Sequence, residues 1–291
     1  MKKAFIFISL LFMSNVFAQT IDRFSIDSGG ASTAAGNISI LYTIGEVQIA
    51  ERNTATLSIS EGFIAPQRIR IRIHPIVFLQ GAFTNPNAGE ESLMRDDLRI
   101  ASSILIPTTS PYDSTTCDPS VFTTTGANAI VDWILIELRD ENDASNVLVS
   151  QSALLQRDGD IVATDGTSAV AINSPSGNYY IAVRHRNHLG ILTASTVSLS
   201  ETVTNLDLST DINAVIGGAL ALRAMGNGIF AMYAGDVNSD GSILNTDIAS
   251  ALSASGGINV YAGSDANMDG NILNTDIALI IQPNAGRIQQ F

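Results

Sequence analysis

Cysteine is nearly absent from this chain: Cys117 is the only one in 291 residues, so no intramolecular disulfide can form. Lysine is scarcer than it first looks, because Lys2 and Lys3 are the only two and both lie at the N-terminus. Past that end the chain carries 13 arginines and no lysine against 28 acidic residues, a formal charge of 13 − 28 = −15. A basic stripe of the kind that neutralises phosphates is missing, which excludes nucleic acid as a partner and favours divalent cations. There is no nucleophile elbow, phosphate loop or dinucleotide fingerprint. The apolar run 219–235 is broken by Arg223 and by Gly226-Asn227-Gly228, giving two strand-length pieces rather than a membrane span.

What is present is a globular chain, 45% apolar with mean hydropathy +0.23, enough to bury a core. The N-terminus reads "MKK", then "AFIFISLLFM", then "SNVFA", with Val16 and Ala18 where a signal peptidase requires small or apolar residues. Residues 1–18 are expected to be a signal peptide, since a spanning anchor needs about 20 apolar residues. The protein is therefore expected to be exported, to the medium, the cell surface or the periplasm, with no transmembrane segment after cleavage.

Residues 19–72 alternate with a period of two in "ISILYTIGEVQIAE" and "TATLSISEGFIAPQ", which predicts a small antiparallel β unit. Across 73–234, "IHPIVFLQGAF" and "VDWILIELRDE" read as strands, and "SALLQRDGDIVATDG" as a hairpin around Asp158-Gly159. "GNYYIAVRHRNHLGILTASTVSLS" reads as two strands joined at Asn187–Gly190, and "AGEESLMRDDLRIA" as a helical turn or a polar loop. Short strands at this spacing predict a mainly β fold, an antiparallel β-sandwich.

The order "FSIDSGG", "YTIGEV", "LSISEGFIAPQ" resembles the segment that opens many exported proteins of the Bacteroidetes type. "FLQGAF", "IPTTSPY", "AIVDWILIELRD", "ALLQRDGDIV", "NYYIAVRHRNHLGILTA" and "MYAGDVNSDG" resemble, in this order, a family of secreted hemagglutinin-like or cell-surface proteins. That resemblance implies a β-rich exported protein and offers no catalytic residue.

Residues 235–291 contain the most specific signal. From Asp236 the chain reads "DVNSDGSILNTDIA" and from Asp265 "DANMDGNILNTDIA", eleven of fourteen positions identical. Numbered from the first aspartate, oxygen-bearing residues fall at positions 1, 3, 5 and 12, and glycine at 6. They are Asp236, Asn238, Asp240 and Asp247 with Gly241, and Asp265, Asn267, Asp269 and Asp276 with Gly270. Ser242 and Asn271 stand at position 7, where a backbone carbonyl is the usual ligand. This spacing wraps six to eight oxygens around a hard ion, so each loop is expected to bind one Ca²⁺; Mg²⁺ retains water and suits such a cage poorly. With aspartate at position 12, the pair resembles the duplicated loop of dockerins. Leu244 and Leu273 fill position 9, leaving water to complete the shell. Short helices are expected after Asp247, stopped at Gly256-Gly257, and after Asp276, stopped at Pro283. The half-sites are expected to pack face to face, with Ile243, Ile248, Ile272, Ile277 and Leu279 as a shared core.

Other constellations point to structure. His185 and His188, three apart on a strand and turn, are expected to face different sides. Asp132 and Glu137 differ in parity, so with Asp140 they are expected at strand ends and solvated edges rather than as a glycosidase pair. Cys117 has nothing to activate it, and Trp133 is expected in the core. The sequence thus predicts a non-enzymatic exported protein acting in adhesion or surface assembly, through a surface glycan or a cohesin-like protein. The alternative is a dockerin-type component of polysaccharide degradation.

Overall fold

The computed structural model describes residues 70–291 and, before them, the backbone of four strands. The expected signal peptide lies outside the described residues. The four strands are β1 (Gly29–Ala35), β2 (Ile38–Ile44), β3 (Ala50–Asn53) and β4 (Ser58–Glu61). They form two antiparallel pairs, β1 with β2 and β3 with β4. Residues 68–291 form a separate compact unit.

That unit opens with β5 (Ile71–Ile76) and two single helical turns, α1 (Gln80–Phe83) and α2 (Asp97–Ile100). Then come β6 (Ile130–Arg139), β7 (Val147–Gln156), β8 (Ile161–Val162), β9 (Val170–Ile172), β10 (Gly177–His185), β11 (His188–Leu192), β12 (Val197–Leu199) and β13 (Val203–Asp207). The hairpin β14 (Leu222–Gly226) and β15 (Ile229–Met232) follows, then α3 (Asn245–Ala254), a π-helical turn (Asp276–Ile281) and a closing turn α4 (Gln282–Asn284).

The fold is mainly β, as the period-two patterning predicts. The larger sheet runs β11-β10-β6-β7-β8 with β12 beside β10, and a three-stranded sheet runs β13-β5-β9. All neighbours in the larger sheet are antiparallel, but β13 lies parallel to β5, a crossover that alternation along the chain does not reveal. Ile71 and Ile73 from β5, with Ile134, Ile136 and Leu138 from β6 and Leu154 from β7, share one buried core. Trp133 belongs to the same core, fully buried, its indole N–H donating to the Pro107 carbonyl at 2.8 Å.

Turn chemistry sets the hairpins where the sequence places them. Gly159 takes φ +93 between β7 and β8, and a side chain there would also strike Phe78 and the Val77 carbonyl. Asn227 and Gly228, at φ 52 and 77, turn β14 into β15, a left-handed pair suited to a two-residue hairpin. The turn after β10 is shorter than expected, Arg186-Asn187 alone, because His185 already pairs with His188. "AGEESLMRDDLRIA" resolves into loop with a single turn at α2. Trp133→Ala is expected to destabilise this unit by about 3–5 kcal/mol, measured as a lower denaturant midpoint at unchanged slope.

Candidate metal centre

The two aspartate loops fold alike. Position 4, Ser239 and Met268, takes φ 58 and 60, and position 6, Gly241 and Gly270, takes φ +83 in both. The chain thereby turns sharply enough for side chains 1, 3 and 5 to fold inward. Asp236 accepts from the amides of Asp240 and Gly241 at 3.0 Å each; Asp265 accepts from Asp269 and Gly270 at 3.1 and 2.9 Å. Asn238 and Asn267 each donate to the carboxylate two residues on, at 2.8 and 2.9 Å. Position 12 closes the loop and opens the helix: Asp247 accepts from Val237 and Leu244, both at 2.8 Å, and Asp276 from Asn267 and Leu273 at 3.0 and 2.8 Å. An aspartate at the third helical position bonding back to the cap amide is half of a capping box.

These carboxylates are buried. Asp247, Asp265 and Asp276 are fully inaccessible and Asp236 is 3% exposed. Burial and the neighbouring Asp247 and Asp240 push Asp236 up to about 6. Burial pushes Asp265 to about 7, with Asp276 and Asp269 adding to the rise and Arg186 opposing it; Asp276 is also raised, chiefly by burial. Among the described residues no ion pair reaches any carboxylate of either loop. No three His, Cys, Asp or Glu side chains among them are gathered as a metal cluster; each loop offers a mixed set of aspartate, asparagine and backbone oxygens instead. Such an all-oxygen set fits a hard divalent cation.

The loops interlock rather than meet face to face. Ile243 pairs with the segment that follows the second loop's helix, through Arg287 and Gly286 at 2.8 Å each. Ile272 pairs with the segment after α3, through Gly257 and Gly256 at 2.8 Å each. Each loop is closed by the tail of the other loop's helix. Ile243 and Ile277 enter a common core with Ile248 against it, and Ile272 is buried, but Leu279 is 57% exposed. Ile277, Ile280 and Ile281 share one face at helical spacing, and Leu279 falls on the other. Pro283 does not stop this helix, which runs on through it to Asn284.

That core is not private to the loops, because Leu189, Tyr233 and Ala234 of the β region belong to it. The β10–β11 hairpin is the joint. Contrary to expectation, His185 and His188 face the same way: they lie directly opposite across the turn, as cross-strand neighbours do, with Nδ1 atoms 3.0 Å apart. Gly81 donates its amide to His188 Nε2 at 3.1 Å, which places the His188 proton on Nδ1, near Asn187 Oδ1 and His185 Nδ1. His185 then carries its proton on Nε2 and gives it to Asp132 at 3.1 Å. Burial holds both imidazoles below their ordinary pKa, His188 far below.

Asp132 is likewise not at a solvated edge. From Asp132 to Leu138 β6 pairs in unbroken register with β7, so Asp132 shares by alternation the face of Ile134, Ile136 and Leu138 and is fully buried. It accepts from Trp133 N at 2.7 Å, Tyr261 OH at 2.6 Å, His185 and Arg186 Nε at 2.9 Å. Burial alone would raise its pKa, but Arg186, His185 and Tyr261 hold it down to about 2. Glu137 is also inside, paired with Arg139 at 2.6 Å and Arg184 at 2.8 Å. Trp133 is where the sequence puts it, in the core; Cys117 is buried as well, and burial pushes its thiol up, away from reactivity.

From this hairpin the second loop is held by side chains the motif does not name. Arg186 stacks over Tyr261 at 4.2 Å and bonds the Ala262 carbonyl. Asn187 donates to the carbonyls of Gly263 and Asp265 at 3.1 and 2.7 Å, and Arg95 to that of Asn267 at 2.7 Å. Gly81 allows the Ala266 carbonyl to approach so closely that a Cβ would overlap it. The first loop is tied to the same turn by Ser239 Oγ donating to the Arg186 carbonyl at 2.7 Å.

No protein-family model matches the chain, and no curated protein matches it, so the hemagglutinin-like resemblance stands on its quoted blocks alone. Two solved structures are similar in part, both interface mutants of a type II Cohesin-X-Dockerin complex from Acetivibrio cellulolyticus. The C-terminal interface mutant is 15% identical at TM-score 0.38, covering 75% of this chain and 96% of that one. The N-terminal interface mutant is 18% identical at TM-score 0.34, covering 76% and 96%.

Three outcomes test this joint. Asp132→Asn leaves the Arg186 charge buried with less compensation and is expected to cost about 3–5 kcal/mol in a denaturant titration. Gly81→Ala is expected to lower the thermal midpoint by displacing the second loop. Because His185 and His188 have depressed folded-state pKa values, their stabilisation is complete above pH about 6.5 and is lost as pH falls below it, where the unfolded chain binds the extra protons. Side-chain NMR is expected to show both imidazoles still neutral just below pH about 6.5.

Proposed function

We propose that this is a non-enzymatic exported protein of surface adhesion or assembly, in which each aspartate loop takes one Ca²⁺. The observation that carries the metal is the set of buried loop carboxylates with no basic partner among the described residues. A buried anion left alone costs several kcal/mol or stays protonated, and a divalent ion removes both penalties. Asp236, Asn238, Asp240, the Ser242 carbonyl and Asp247 would hold the first ion. Asp265, Asn267, Asp269, the Asn271 carbonyl and Asp276 would hold the second. Bound calcium supplies charge neutralisation only; the chain's own residues then lock the tail to the β-sandwich through the Arg186-Asn187 turn. No helix of the described residues is long and apolar enough to cross a membrane. The adhesion role is supported by the signal-peptide pattern and the missing catalytic motifs.

Docking onto a cohesin-like protein is the second reading. Leu244-Asn245-Thr246 and Leu273-Asn274-Thr275 are exposed in both halves, as a two-fold docking surface requires. A stoichiometric, chelator-sensitive protein partner would favour it over a purely structural metal.

Calorimetry of the mature chain is expected to show two calcium sites, with Asp240→Ala and Asp269→Ala each removing one. Calcium at a hundredfold excess over Kd is expected to add about 2.7 kcal/mol of stability per site. Absence of binding heat and of thermal stabilisation in the wild-type chain would discard the metal.

A further inference from the structure

The two loops share an internal geometry but not their surroundings. In the first, positions 3, 4 and 5, which are Asn238, Ser239 and Asp240, are all exposed. In the second, Asn267 and Asp269 are half-buried, and Met268 at position 4 is 2% exposed, in the same core as Trp133. Serine or methionine at that position changes nothing in the ligand set. It decides whether the tip of the loop faces water or is rooted in the β region.

The β region also grips the second loop along its length. Leu105 lies so close over the turn that a Cβ on Gly270 would come within 2.8 Å of its Cδ1, whereas a Cβ on Gly241 would meet nothing nearer than Gln289 at 3.6 Å. The carbonyls of Gly263 and Asp265 are held by Asn187 and that of Asn267 by Arg95, and Arg95 is itself held by the carbonyls of Gly81 and Thr84. The arginines beside this loop bring no unmatched charge against a cation, since Arg95 pairs with Asp97 and Arg186 with Asp132. The space next to Asn267 and Asp269 is a cavity of about 160 Å³ walled by Thr84, Asn85, Arg95 and Leu279. Releasing an ion requires its ligands to swing away, at the cost of opening the segment that carries them. In the first loop that segment is an exposed turn. In the second it includes Met268, which must leave the core, and the bonds from Asn187 and Arg95, which must break. A loop held in place beforehand also loses less freedom when it binds.

We propose that the two cation sites differ in role: the second loop keeps its ion as a slowly exchanging part of the fold, while the first exchanges its ion with the surroundings and responds to calcium concentration. The inference rests on the calcium reading above and goes beyond it in dividing the sites. The test is release of calcium from the loaded full chain into an excess of chelating dye, followed by stopped flow. Two phases of one ion each are expected, the slow one at least about tenfold slower than the fast. Asp240→Ala is expected to abolish the fast phase and leave the slow one, and Asp269→Ala to abolish the slow one. Met268→Ser gives the second loop the residue of the first without touching a ligand; it is expected to speed the slow phase at least about tenfold and leave the fast phase as it was. Should Asp269→Ala fail to fold, the Asp240→Ala and Met268→Ser traces decide. A ratio of rates below that expected, a slow phase lost in Asp240→Ala, or one unmoved in Met268→Ser overturns the division. Two ions leaving at a single rate remove the division alone and keep the calcium reading; a chain that binds no calcium removes both.

Discussion

Buried negative charge is the constraint around which residues 68–291 are organised. A carboxylate removed from water must find donors or a counter-charge, or it takes up a proton. Asp132 meets that demand within the protein: four donors surround it, one of them a guanidinium, and its pKa falls to about 2. The loop aspartates meet it only in part. Backbone amides satisfy some of their lone pairs, yet Asp236 and Asp265 are raised to about 6 and 7. The same burial gives opposite outcomes in two places, and the difference is direct pairing: Arg186 bonds Asp132 at 2.9 Å but makes no ion pair with Asp265, whose rise it only opposes.

The two places are physically joined. Arg186 pairs with Asp132, lies over Tyr261 and bonds the chain just before the second loop; its neighbour Asn187 bonds the first ligand position's carbonyl. The hairpin turn is thus a bracket with the sandwich core on one side and the loop pair on the other. Because each loop is closed by the tail of the other's helix, the repeat is one folding unit and cannot be divided into two independent halves. An ion in either loop would therefore stabilise more than the loop itself, which is how metal binding comes to be coupled to folding.

Much of this was legible beforehand. The strands, the Asp158-Gly159 and Asn227-Gly228 turns, the buried Trp133 and the matched geometry of the two loops follow from period-two patterning, turn chemistry and a repeat in register. The failures share a cause. His185 and His188 were assigned to opposite faces by counting residues along one chain, but their side-chain directions are set by pairing across a turn. Counting parity against Glu137 puts Asp132 at a strand end or solvated edge, yet both carboxylates are buried. The donors that await Asp132 from positions 185, 186 and 261 are properties of distant segments.

The sequence alone determined the β-rich class, the acidic balance and the oxygen-donor spacing of the loops, because each is a local property: periodicity, composition, and side chains a few residues apart on one turn. Tertiary structure alone decided which buried charges are compensated, how the loops interlock, and that the β10–β11 hairpin carries both the core and the candidate metal centre. Those depend on atoms brought together from far along the chain, where the cost of burying a charge is settled by whichever partner the fold delivers.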